Sequence, residues 1–212
     1  MAEILRSQTT TEILKKVGSK LDIEITATST PNRNQVVSWL NDAALILSRM
    51  MPEGRLGLLR DSTSQDDVGA SMTLTEQYAR VVSVKKFGVE CTRMDQRDMD
   101  LISTRTPLLH TTRNPSYCIS GDGGQVQLQF WPEGPGPVLV KAIRKPTAYA
   151  DDDLWTPGTY TLPVELELLA VDYAVLQGKI QDEEMQQVQL LMQAWFQQAG
   201  IEGSIEGLGV AG

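Results

Sequence analysis

Hydrophobic positions along the chain change their spacing three times. From Val36 to Met50 they recur at every third or fourth residue (Val36, Leu40, Ala43, Ala44, Leu47, Met50), the stripe of an amphipathic helix. Thr30 is placed to cap that helix and Pro31 to occupy its first turn, where a missing N–H costs nothing. Pro52 and Gly54 stop it, and the Met50–Met51 pair reads as core filler. A shorter helix is predicted over 11–21. From 53 to 75 no period is sustained, and the stretch centred on RDSTSQDDVGAS reads as a long loop.

From Tyr78 the period becomes two. ARVVSVKK and GVECTR are β-branched runs separated by a turn at Phe87–Gly88, and MDQRDMDLI reads as a short helix capped by Asp95. PSYCIS and VQLQFW flank a GDGG turn, with Val126, Leu128 and Phe130 on one face and Gln125, Gln127 and Gln129 on the other. WPEGPGP then leads into VLVKAIRK, and the sequence predicts that these last two strands pair across it as a stiff hairpin. The result is a small antiparallel sheet with one polar face.

The helical period returns at Pro163, with Glu165 and Glu167 placed favourably for the helix dipole. Leu166, Leu169, Tyr173 and Leu176 form its stripe, and Gly178 is read as a left-handed C-cap. After an Asp182 cap, the last helix has Met185, Val188, Met192, Trp195 and Ala199 as its stripe and closes at Gly200. Glutamines, among them Gln186, Gln189, Gln193 and Gln197, crowd the outer faces of this helical hairpin. Such a face is soluble yet has little charge to desolvate, which suits packing against a copy of itself. The tail, residues 201–212, spaces Ile201, Ile205, Leu208 and Val210 between glycines and is expected to be flexible alone and to order against a partner.

Composition narrows what such a chain does. It has 41% hydrophobic and 22% charged residues, as a folded globular protein does, and a formal charge of −8. That charge opposes a nucleic-acid-wrapping surface and docking on an anionic membrane. No apolar run is long enough to span a bilayer, and the N-terminus has no signal-peptide pattern, so folding in a reducing cytoplasm is expected. Cys91 and Cys118 form no CxxC pair and read as buried thiols. His110 is the single histidine and has no nucleophile frame around it; GDGGQ lacks the context of a dinucleotide or phosphate loop. Asp151–Asp153 could offer oxygen ligands to a hard cation, but without an EF-hand's glycine and terminal Glu they read as a solvated loop. The sequence therefore predicts an interaction protein, not an enzyme, with no catalytic residue, metal or cofactor.

Three segments in order carry a resemblance. They are WLNDAALILSRMMPEG; NPSYCISGDGGQVQLQFWPEGPGPVLVKAIRKP, with Pro115, Tyr117, Trp131, Pro132, Arg144 and Pro146; and LPVELELLAVDYAVLQGKIQDEE. Over residues 31–200 the chain resembles the head-to-tail connector (adaptor) proteins of tailed bacteriophages. The resemblance implies an α+β fold, an α-helical bundle with a small antiparallel β unit built on an extended hairpin, forming an oligomeric ring. One adaptor domain would cover 1–200, with helices about 11–51 and 162–199, a β unit about 78–145, and the tail beyond. Implied partners are the phage portal protein above, a tail or nozzle protein below, and copies of the chain in a dodecameric ring. DNA would pass through the ring without specific binding. Twelve copies would carry roughly −96, a bore that repels phosphate. Such a protein belongs to the virion and is assembled in the host cytoplasm. Ile201, Ile205, Leu208 and Val210 are its candidate partner-interface residues, most readily toward the portal. Two other readings stay open, another ring protein of the virion (head completion or tail terminator) and a hydrolase using His110.

Overall fold

The computed structural model describes residues 10–74, 77–105, 112–122, 125–149, 162–181 and 185–201. The chain divides into two compact units, Met1–Leu59 with Pro146–Gly212, and Arg60–Lys145.

The first unit is helical. It contains α1 (Thr10–Leu21), α2 (Arg33–Met50), α4 (Val164–Gln181) and α5 (Met185–Ala199), and two short 3-10 turns follow α2; α3 belongs to the other unit. α2 is capped by Asn32, not Thr30. The Asn32 side chain accepts from Gln35 N and the Gln35 side chain accepts from Asn32 N, a reciprocal box that Thr30, two residues earlier, is out of register to form. Pro31 lies outside the helix. Val36, Leu40, Ala43, Ala44 and Leu47 are buried as the stripe predicts, but Met50 is 45% exposed. Met51, which leaves the helix with extended backbone, turns into the core in its place.

α4 departs furthest from the expected stripe. Leu166, Leu169, Ala170, Val171, Ala174 and Leu176 are all buried, and α1, α2 and α5 each pack on the helix. A helix covered on several sides is apolar around most of its girth, so a single stripe under-describes it. Gly178 does not end α4, which continues to Gln181. A β-carbon there would lie 2.8 Å from Leu21 Cδ1, so the glycine serves the close approach of α1. Trp195 on α5 is buried as expected; its indole N–H donates to Leu169 O at 2.7 Å and its ring meets Tyr173 and Phe196, each at 5.2 Å.

The second unit overturns the expected small hairpin. It holds eight strands: β1 (Arg60–Gln65), β2 (Ser71–Leu74), β3 (Tyr78–Lys86), β4 (Val89–Glu90), β5 (Thr92–Arg93), β6 (Ser116–Asp122), β7 (Gln125–Trp131) and β8 (Val138–Arg144), with α3 (Gln96–Arg105) between β5 and β6. They form two four-stranded sheets, ordered β1-β8-β3-β4 and β2-β7-β6-β5. β7 and β8 are therefore not a hairpin. β7 pairs with β2 and β6, β8 with β1 and β3, and residues 132–137 carry the chain from one sheet to the other. The helical bundle with a small β unit gives way to an α+β chain with two full sheets. β1 and β2, inside the expected 53–75 loop, supply the edge partners that the hairpin reading lacked.

The inner faces share one core. Val84, Val138, Val140 and Ala142 come from one sheet, Met72, Leu74, Tyr117, Leu128 and Phe130 from the other, with Cys91 among them. The alternation along VQLQF is therefore real, and its glutamines face outward. Cys118, also buried, lies on the opposite face of β6 from Tyr117, and its thiol donates to Gln96 Oε1 of α3 at 3.2 Å. Asp95 caps α3 as predicted, accepting from Asp98 N at 2.8 Å.

Four connections switch sheets (β1–β2, β2–β3, β4–β5 and β7–β8), and three of them converge on one side chain. Lys86, fully buried at the end of β3, donates to Gly69 O in the β1–β2 connection at 2.7 Å and to Pro132 O in the β7–β8 connection at 3.4 Å. Its ammonium sits 5.0 Å from the Phe130 ring centroid and 5.2 Å from that of Phe87. Burial pulls its pKa down, opposed by nearby Cys91, in the β4–β5 connection, and Glu133. The loops also bond directly, Val68 N to Gly136 O at 3.0 Å and Phe87 N to Pro137 O at 3.1 Å. Phe87 and Gly88 both have positive φ (56° and 77°), as a two-residue turn between β3 and β4 demands. The Phe87 ring lies so close to Gly136 that a β-carbon there would be 2.2 Å from Cε1.

Replacing Lys86 by Met keeps the length and removes the donor. The Gly69 carbonyl then loses its partner, so Lys86→Met is expected to destabilise the chain by about 1–3 kcal/mol in chemical denaturation. Amide exchange at Val68 in the β1–β2 connection and at Phe87 in the β3–β4 turn, both bonded to the β7–β8 connection, should accelerate more than at Leu128 in the sheet. Uniform acceleration would mean that Lys86 acts on global stability without holding the connections.

Candidate interaction surface

Burial pushes the Cys91 thiol up to about 11, so at neutral pH it is a protonated packing residue and not a nucleophile. Cys118 is raised as well, by burial and then by the charge of Asp100. Among the described residues no group of three or more His, Cys, Asp or Glu could hold a metal, and no helix is long and apolar enough to cross a membrane. A shallow depression of about 510 Å³ beside α3 is lined by Thr92, Arg93, Asp95, Gln96 and Asp98, with no nucleophile and base brought together. His110, Asp151–Asp153 and Trp155 lie outside the described residues.

The polar networks that do form are structural. Asp61 on β1 accepts from the Tyr78 hydroxyl at 2.7 Å and pairs with Arg144 of β8 at 3.1 Å, while Tyr78 also meets Thr63 Oγ1 at 3.1 Å. This ties the edge strand β1 to its neighbour β8 and to β3 beyond it. It also gives a role to Arg144, one of the motif residues. Burial alone would raise the Asp61 pKa, but hydrogen bonds from Tyr78 and the Ser62 backbone and the Arg144 charge outweigh it and hold it below its ordinary value. In the helical unit, Asn41 of the WLN motif clamps the backbone of Tyr149, accepting from its N–H at 2.7 Å and donating to its carbonyl at 3.1 Å. Burial, followed by the charge of Glu167, raises the Tyr149 pKa far above the ordinary phenol value.

At the end of α5 the chain turns sharply. Gly200 has φ +69°, Gly200 N donates to Gln197 O and Ile201 N to Phe196 O, both at 3.0 Å, the paired bonds of a Schellman cap. Arg55 adds bonds from Nη1 to Ala199 O at 3.1 Å and Gln198 O at 3.3 Å, a cation on the negative helix end. Ile201, expected at a partner interface, is only 7% exposed in this cap. Ile205, Leu208 and Val210 lie outside the described residues.

Among the described residues, the outer side of α4 and α5 exposes several large apolar side chains. Leu190 is 70% exposed, Leu191 36% and Leu168 48%, with Gln193, Gln197 and Gln198 exposed beside them. Between the two helices runs a groove of about 200 Å³ floored by Val175, Leu176, Leu191, Ala194 and Trp195, with Asp172, Lys179 and Gln198 on its rim. Asp172 is ion-paired with Lys20 of α1. The described part of the glutamine face, Gln193, Gln197 and Gln198, is exposed as the sequence predicts, but Leu190 and Leu191 set within it fall between the expected stripe positions.

Exposed leucines on a glutamine-rich helix, buried protonated thiols and purely structural polar networks together describe a protein built for assembly contacts. The sequence matches the family model described as SU10 adaptor protein over residues 8–207, and the chain belongs to that family. It is a phage structural adaptor protein, a virion component of a family that interacts with head or tail components. No curated protein matches it.

The Asp61 network makes a pH-dependent prediction. A carboxylate whose folded pKa is depressed stabilises fully above its unfolded value, near 3.8, and loses that contribution as pH falls through the lower folded value. Asp61→Asn is expected to cost about 1.5–3 kcal/mol at neutral pH. The gap to the wild type should close in strongly acidic buffer. A gap that stays constant across that titration, measured by denaturant midpoints, would assign the loss to packing and not to charge.

Proposed function

We propose that the chain is one subunit of a closed ring, twelve copies in all, that joins the portal to the tail and leaves a channel for DNA. The observation that supports this most directly is the outer face of α5. Leu190 at 70% exposure contributes little to its own fold, and glutamines around it are cheaper to desolvate than lysines or glutamates. A cyclic ring needs two different, complementary faces on every subunit, since each contact is head to tail. Portal on one side and a tail or nozzle protein on the other then require further surface. The formal charge of −8 per chain suits a channel that DNA passes without binding. No catalytic step is assigned to the protein.

Purified protein mixed with the portal of the same phage is expected to form a co-sedimenting complex at micromolar concentration, with a twelvefold ring visible by electron microscopy. Leu190→Asp should abolish that complex while leaving the melting temperature unchanged, because the side chain packs so little in the subunit. Failure of the wild type to bind portal overturns the reading. A ring that binds a tail component but not portal reassigns it to the tail side of the joint.

A further inference from the structure

Each four-stranded sheet of the second unit ends in two edge strands, and the edges of one sheet differ from those of the other. β5 is two residues long and β2 four, the short edges by which proteins ordinarily avoid strand addition. β1 has six residues in unbroken register with β8, with no bulge and no proline, and Arg60, Ser62, Ser64 and Gln65 along it are exposed. At the opposite edge of that sheet, β4 covers β3 only at Lys85 and Lys86, and Cys91 N takes the Val84 carbonyl at 2.8 Å. No strand among the described residues pairs along the outer side of residues 78–83. We infer that these two edges meet: β1 of one copy adds to residues 78–83 of β3 in the next copy, and the sheet continues from subunit to subunit.

The occupant is a second copy because the two edges fit each other. They match in length, and each stops for a structural reason. β1 bends away after Gln65, and the open part of β3 ends where Cys91 and β4 begin to cover it. Their directions also agree. β1 is antiparallel to β8 and β8 to β3, so β1 and β3 run the same way. Copies related by rotation about a ring axis keep one strand sense relative to that axis, so β1 of a neighbour arrives beside β3 as a parallel strand. The two edges lie on opposite sides of one sheet, which gives every subunit the two unlike faces that a head-to-tail contact needs.

Main-chain groups carry the contact. On an edge strand the N–H and C=O groups of alternate residues point away from the sheet, a ready template for another strand. Aligning 60–65 with 78–83 puts Ser64 beside Val82, which is 36% exposed and sits at a register shift with no partner on β8. A second shift falls at Ala79. Inserted residues bend a strand and increase its twist, the curvature a sheet needs to run around an axis. β1, RDSTSQ, brings no large apolar side chain, so one pairing mostly exchanges bonds to water for bonds to a neighbour and is weak alone. Closure of a ring makes the last pairings intramolecular and the whole durable. The inference rests on the ring reading above and gives it a contact on the second unit, distinct from Leu190.

The test uses two full-length variants, Ser64→Cys and Val82→Cys, and a short bismaleimide, since adjacent strands lie only about 4.8 Å apart. Both positions are exposed, so melting should not change. Samples with portal, and portal-free samples at high concentration, are sedimented first to establish whether an oligomer is present. Wild-type protein, whose Cys91 and Cys118 are buried, gives the background. A mixture of the two variants is expected to give a covalent dimer that neither gives alone, and a chain carrying both substitutions a ladder of higher multimers. An oligomer that sediments but cross-links no more than wild type overturns the inference and leaves the ring standing. Cross-linking by Ser64→Cys alone also overturns it and makes the contact a two-fold pairing of β1 with β1. Absence of an oligomer from every sample overturns the ring reading itself, and this contact with it.

Discussion

A β-sandwich whose chain switches sheets four times must hold its crossings, and in this protein one ammonium group holds two of them. Lys86 Nζ binds carbonyls from two sheet-switching connections and stands over Phe130 in the shared core. A buried charge is costly unless its bonds are made, so the residue favours the one arrangement in which both connections come to it. The prolines and glycines of 132–137 fit that need. Gly136 leaves room for the Phe87 ring, and the Gly136 and Pro137 carbonyls accept from Val68 and Phe87. The stiffness of WPEGPGP therefore serves a crossing between sheets, and each sheet braces the other.

The helical unit is fastened by the same kind of bond, a side chain reaching a backbone far away in sequence. Asn41 holds Tyr149, Arg55 holds the end of α5, and Trp195 holds Leu169 on α4. Each satisfies main-chain groups at a turn, a helix end or a helix–helix contact, where repeating hydrogen-bond ladders leave off. Among the described residues of α5, Leu190 and Leu191 lie outside these fastenings and are exposed.

Helices were legible in the sequence to the extent that one face of each is buried. α1, α2 and α3 have one apolar face and a recognisable cap or stop, and their bounds follow within a few residues. α4 was found but misread at Gly178, because a glycine that admits a neighbouring helix looks the same as one that ends its own. β1 was invisible for a physical reason. RDSTSQ lies at a sheet edge, held by its backbone ladder to β8 and by the Asp61–Arg144 pair, so no alternation of apolar residues marks it. The missed sheet switch at 132–137 has a similar cause. Local residue choice specifies a break between strands, while long-range pairing decides whether the next strand returns to the same sheet. Of the candidate interface, the glutamine face was legible. The burial of Ile201 was not, because it depends on how the cap at Gly200 turns the chain.

An adaptor must stay soluble as a free subunit and still join its neighbours, and the interface proposed on α5 would meet both demands. Charged side chains would keep the helix soluble but would have to be stripped of water or paired on docking. Glutamines lower that penalty, and their amides can bond to whatever backbone or side chain arrives. A continuous apolar stripe would bind more strongly but would also join copies of the chain prematurely. Two adjacent leucines beside a narrow groove, set in glutamine and backed by a net charge of −8 that keeps free copies apart, lie between these extremes. On this balance, weak single contacts become durable when repetition around a symmetric assembly makes the later ones intramolecular.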